Sequence, residues 1–302
     1  MASFSAKNNA KYSVRSISLP SRIHPTTAKV DGDLNKLKSW EASSTSSSRS
    51  LRAGISGLEE LYISVDELLN MASTRQVLSC NQDKRFTDEL LDGSVQLIDM
   101  CGSAREILLH IKENVGALQS AIRRRKGDSN MKDKIVGYSN LRKKTKKDVK
   151  RLVSSLKKME ANFGASSLSV QNPVDQHWLA IMRVLREANL SSILIFQSLM
   201  SLLAPSVSMP KQIRWPVIMK LMHKGTIACN GNQEDKNEFE CVDVALSDLS
   251  KCLSRGVGTE RMKITNKQLE NLEASIGSLE DDMECLFRHL IKTRASLLNI
   301  IS

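Results

Sequence analysis

The sequence predicts an all-α protein, an elongated antiparallel bundle of long helices behind a disordered N-terminal arm. Three observations carry that prediction. Apolar residues recur at three- and four-residue steps over most of the chain beyond residue 50, the period of one helix face. Aromatics make up only 4% of the 302 residues, and Gly and Pro stand at 14 and 6, too few for turn-rich β architecture. Hydrophobic residues at 41% and charged residues at 25% match an ordinary globular mix, so a packed core is expected.

The chain opens with residues 1–31, rich in Ser, Lys, Arg and Asn and without a sustained apolar period. They read as a disordered basic arm, with an organelle transit peptide as the rival reading of an acid-poor, Ser-rich leader. Residues 32–50 follow as a short helix, with Leu34, Leu37 and Trp40 on one face, and a Ser/Thr linker over residues 42–50. Residues 51–302 form the helical bundle domain.

Its first helix carries Leu51, Ile55, Leu58, Tyr62, Val65 and Leu69 and runs to about Met71. A longer one spans residues 84–126, where Gly93, Gly102 and Gly116 invite a bend or break. The next, from Met131 to Phe163, keeps its apolar stripe at both ends but only Val149 among lysines between Leu141 and Leu152, so contact with the body is expected mainly at its ends. Pro173 opens a helix carrying Trp178, Ile181, Leu185 and Leu194 as far as Ala204. Residues 188–204 are uncharged but diluted by Asn189, Gln197 and serines, which favours a buried core helix over a membrane span. Pro205, Pro210 and Pro216 mark an irregular crossing, residues 217–222 a short apolar turn and residues 225–237 a loop.

Val242, Ala245, Leu246, Leu249 and Leu253 define a further helix ending near Arg255 and Gly256. The last helix is the most regular. Leu269, Leu272, Ile276, Leu279, Met283, Leu286 and Leu290 alternate three- and four-residue steps, the seam spacing of a coiled coil. That seam suits packing inside the chain's own bundle, with a homodimeric coiled coil as the alternative.

The catalytic and cofactor signatures that act through local spacing are missing: no phosphate loop, dinucleotide-binding turn, nucleophile elbow or His-Glu-x-x-His pair. No enzyme activity, cofactor or metal site is expected. His24, His110, His177, His223 and His289 lie far apart, and His223, Cys229 and Cys241 fit no common zinc spacing. The six scattered cysteines, without a secretory signal ahead of them, read as reduced thiols, consistent with a cytoplasmic protein.

Charge is the strongest anomaly. Residues 121–160 hold fifteen Lys or Arg against four Asp or Glu and so carry the whole net charge of +11. Arg123, Arg124, Arg125 and Lys126 end one helix, and Arg142, Lys143, Lys144, Lys146, Lys147, Lys150 and Arg151 crowd the next. Such a stretch reads as a solvated face, as a patch for anionic lipid headgroups, which would place the protein peripherally on a membrane, or as a nuclear-import signal. Nucleic acid fits less well, because no aromatic residue is interleaved within 142–151 to stack bases.

The arm holds one sharper motif. Arg15, Ser16, Ser18 and Pro20 spell Arg-Ser-x-Ser-x-Pro, with Arg15 placed three residues before Ser18 as basophilic kinases prefer. Phosphorylated Ser18 would add a charge of roughly −1.5 to −2, the kind of group an Arg-lined 14-3-3 groove captures. Pro20 would turn the chain out of that groove. Protein partners are therefore expected.

Taken together, RSISLPSRIHP at residues 15–25, LLDGSVQLIDMCG at 90–102, LQSAIRRR at 118–125, the basic patch from Tyr138 and LFRHLIKTRASLLNIIS at 286–302 are similar to a plant-specific family of unknown activity related to the Bypass proteins. The resemblance implies an all-helical fold. It also implies a role in root and shoot development, where Bypass proteins restrain a mobile growth-arresting signal. It implies no activity and supplies no catalytic residues.

Overall fold

The computed structural model describes residues 25–45, 47–80, 84–124, 128–165, 176–205, 237–253 and 259–301, and within them the regular structure is helical throughout. The elements are α1 (Pro25–Ser43), α2 (Ser48–Leu69), α3 (Ala72–Cys80), α4 (Lys84–Arg124), α5 (Asp128–Ala165), α6 (Gln176–Leu203), α7 (Glu238–Leu253) and α8 (Thr259–Ile301). At 1.5 Å per residue, the 43 residues of α8 reach about 65 Å, which sets the elongated form.

The central layer is α8, whose seven seam residues from Leu269 to Leu290 are all at 3% exposure or less. The seam closes on α4, α2 and α7 of the same chain. Cross-contacts fix the directions. Arg294 donates to the Leu91 carbonyl, Lys112 pairs with Glu280, and Arg123 with Glu270, so α4 runs antiparallel to α8. Arg52 pairs with Asp282 and Thr293 bonds Asp66, so α2 lies parallel to α8. Gln197 bonds Glu160 and Arg142 bonds the Leu203 carbonyl, setting α5 antiparallel to α6.

Several boundaries differ from those expected from sequence. The chain is already helical from Pro25, not after Asp31, because Val30, Leu34 and Leu37 bury one stripe of α1 on α2. The Ser-rich break is shorter than 42–50, since α1 ends at Ser43 and the Ser47 hydroxyl caps α2 by accepting from the Ser50 amide at 3.2 Å. Helix α3 lies in a stretch to which the sequence assigns no element; its Thr74 and Leu78, one turn apart, are both buried. No break divides α4 at its three glycines, which lie within one continuous helix. The Pro173 start, the crossing and loop over 206–236, and Arg255 with Gly256 lie outside the described residues.

The largest correction concerns α5. Met131, Ile135, Tyr138, Arg142, Thr145, Val149, Val153, Leu156, Met159 and Phe163 are all buried, so the helix packs along its whole length rather than at its ends. The stripe looked interrupted because Arg142 and Thr145 occupy two of its inward positions. Helix α6 is the most enclosed in character, with Ile193, Ile195, Phe196, Leu199, Met200 and Leu203 at 1% exposure or less. Among the described residues, no helix is long and apolar enough to cross a membrane.

Candidate functional site

The candidate site residues singled out by sequence divide into four groups in the fold. Arg15, Ser16, Ser18, Pro20, Arg125 and Lys126 lie outside the described residues. Arg123 and Arg124 are exposed on the last turn of α4, where cations meet the negative helix pole, and Arg123 reaches Glu270 of α8 at 3.4 Å. On α5, Lys143, Lys144, Lys147, Lys150 and Arg151 are exposed and Lys146 is half-buried. Arg151 pairs with Asp148 one turn away, at 2.7 Å.

Arg142 does not belong to that exposed patch. Only 5% exposed, it donates through Nε and Nη2 to the Asp243 carboxylate at 3.0 and 3.1 Å and through Nη1 to the Leu203 carbonyl at 2.9 Å. Its guanidinium also lies 5.5 Å from the centroid of the Phe239 ring. One buried cation thus ties α5 to α6 and α7, a structural role that its lysine neighbours cannot share.

The start of α7 is held at the same corner. Asn237 accepts from the Glu240 amide at 3.0 Å while Glu240 reaches back to the Asn237 amide at 3.4 Å, a reciprocal cap. The Asn237 side-chain amide also donates to the Leu202 carbonyl at 2.9 Å. The cap fixes the first turn of α7, and the bond to Leu202 ties that turn to the end of α6, while α7 also packs on α5.

Between α5 and α7 a cleft of about 550 Å³ opens to solvent. Its floor carries Tyr138 and the Arg142–Asp243 pair, and its walls carry Ser139, Lys143, Lys146, Ser247 and Lys251. The Tyr138 hydroxyl is buried without a hydrogen-bond partner. Burial first, and then the Asp243 charge, push its pKa far above the usual phenol range. A cleft this size lies within the range of small-ligand sites. The sequence flagged its α5 lysines but not the cleft, because Lys251 stands 105 positions beyond Lys146.

The interior holds polar groups that sequence reasoning missed. Asp66, 2% exposed, accepts from the Thr293 hydroxyl at 2.6 Å and faces Lys292 at 3.2 Å. Ser64 donates to Asp33 at 2.7 Å, and Tyr62 and Ser192 share a buried hydrogen bond of 2.8 Å. Cys101, fully buried, donates to the Met283 carbonyl at 3.5 Å, and burial pushes its thiol up to about 12. These groups join helices across the interior of the bundle.

His110, His177 and His289 sit on α4, α6 and α8, while His24, His223 and Cys229 lie outside the described residues. Among the described residues, no group of three or more His, Cys, Asp or Glu could hold a metal ion.

In comparisons with known proteins, residues 54–300 match the model of a family described as Protein BPS1. No curated protein and no solved structure is matched by the chain.

Proposed function

We propose that this chain, which belongs to the Bypass family, acts in plant root and shoot development as an interaction and regulatory protein without catalysis of its own. The family match across residues 54–300 is the observation that carries this reading. The fold agrees with it: long helices spend their apolar stripes on one another and leave charged outer faces, as suits a scaffold for partners. The test is growth of plants lacking the protein. Altered root or shoot growth, restored by the intact chain, is expected; unaltered growth of both organs would remove the developmental reading.

A second reading is favoured by the open cations of α5. Lys143, Lys144, Lys147 and Lys150 are exposed, and none forms an ion pair among the described residues. Held near an anionic bilayer, each such cation is worth about 1 kcal/mol. The protein would then work as a peripheral adaptor. In liposome sedimentation, binding should fall with added salt and with charge neutralisation on α5; binding indifferent to both would exclude the adaptor.

The arm motif supports a third element of regulation, capture of phosphorylated Ser18 by a 14-3-3 protein. A Ser18-phosphorylated peptide of the arm should bind 14-3-3 more tightly than its unmodified form, and equal affinity would remove the motif from the reading.

A further inference from the structure

We propose that the cleft between α5 and α7 is a binding site for a phosphate-bearing anion, held by Lys143, Lys146 and Lys251. The floor is electrically settled: Arg142 and Asp243 neutralise each other through contacts of 3.0 and 3.1 Å. The three wall lysines are not. Lys143 and Lys146 have no ion pair among the described residues, and Lys251 meets only Asp248, at 3.4 Å with its side chain 68% exposed, a pair too solvated to hold the cation. The cleft therefore presents an excess of positive charge between two helix walls, where a low-dielectric surround strengthens attraction for an anion.

The remaining lining fits phosphate chemistry. Ser139 and Ser247 offer exposed hydroxyl donors from opposite walls, and the Tyr138 hydroxyl is buried at the floor beside Asp243 without a formed hydrogen bond. Ile135 and Val136 add an apolar wall on α5, with Val136 57% exposed, which suits a ligand whose phosphates sit on a larger scaffold. A phosphorylated lipid headgroup and a free polyphosphate share this chemistry. The site rests on the anionic-surface reading of α5, yet it uses the flank that faces α7, whereas Lys144, Lys147 and Lys158 are exposed and do not line the cleft.

The test compares the full chain with two variants of equal charge, K143Q/K146Q/K251Q in the cleft and K144Q/K147Q/K158Q outside it. The probes are tripolyphosphate by calorimetry, phosphatidylcholine vesicles carrying a bisphosphorylated phosphoinositide, and vesicles matched in charge with phosphatidylserine. The cleft variant should lose roughly 10–100-fold in affinity for at least one phosphorylated probe while the outer variant stays within about twofold. Loss confined to the vesicle probe assigns a lipid headgroup; loss with tripolyphosphate assigns a free phosphate ligand. Absence of binding to both phosphorylated probes, or equal losses in the two variants, overturns the site. Phosphatidylserine binding lost only in the outer variant bears on the adaptor reading alone. The single variant K251Q, exposed on α7, gives the same answer should the triple variant fail to fold.

Discussion

Arg142 on α5 and Asp243 on α7 form a two-pronged ion pair, and the third face of the guanidinium is closed by the Leu203 carbonyl of α6. Three helices therefore meet on one side chain. An arginine is needed there because its planar fork meets both carboxylate oxygens while a separate nitrogen reaches the carbonyl, whereas a lysine places all its donors on one atom.

Removing Asp243 should be worse than removing the pair. Asp243→Ala leaves a guanidinium that is 6% exposed without its counter-charge. Because the Asp243 side chain is itself 32% exposed, some water can reach the orphaned cation, and the expected loss is about 2–4 kcal/mol. The double variant R142M/D243A should recover part of that loss. Urea denaturation of the three proteins decides it; a double variant less stable than D243A alone contradicts the pairing.

Two glycines inside helices should respond to alanine with opposite signs. A Cβ at Gly54 would lie 2.5 Å from ring atoms of Trp40 and 2.7 Å from Cδ1 of Ile195, so α2 packs there through a missing side chain. Gly54→Ala should destabilise by about 1–3 kcal/mol despite alanine's better helix propensity. Gly102 has nothing within 4 Å of the same atom, and Gly102→Ala should stabilise by up to about 1 kcal/mol. Thermal unfolding reads both signs, and a stabilised Gly54→Ala protein would refute the close approach of α1 and α6.

Cys101 should be inert in the folded protein, since the thiolate is the reactive form and burial raises its pKa from 9.0 to about 12. Exposed Cys80 and Cys285 should be alkylated first. The raised value also has a pH signature. Stability from the protonated thiol is whole below about pH 9 and is lost as pH rises toward about 12. Cys101→Ala should therefore flatten that part of the alkaline unfolding profile. Peptide mapping that finds Cys101 modified as fast as Cys80 would show that the site opens readily.

Elements whose apolar stripes run without interruption were legible in the sequence. The seam of α8 and the stripe of α2 stand in the structure at the spacing that predicted them, because an unbroken run of Leu, Ile, Val, Tyr and Met carries each stripe, and the buried Ser64, Asp66 and Thr293 sit beside it without interrupting it. The middle of α5 was not legible in the same way. Arg142 and Thr145 lie in register with Tyr138 and Val149, but a charge run hides an inward arginine unless its partner is known, and Asp243 is a hundred residues away. Helix α3 was missed because two buried residues make too short a period to separate helix from connector. The cleft joins α5 to α7, so its chemistry depends on tertiary placement, which spacing along one helix does not encode.

The buried carboxylate of Asp66 separates hydrogen bonding from charge. Its Oδ1 accepts from Thr293 at 2.6 Å, and its Oδ2 meets Lys292, a side chain 63% exposed, at 3.2 Å. The lysine is solvated and its charge screened, so most of the holding falls to the threonine hydroxyl. Thr293→Val keeps the shape and removes the donor, leaving a buried acceptor short of a partner, and should cost about 1–3 kcal/mol. Lys292→Gln should cost well under about 1 kcal/mol. Urea denaturation at neutral pH ranks the two. If Lys292→Gln proves the more damaging, the ion pair rather than the hydrogen bond joins α2 to α8 at this end of the bundle.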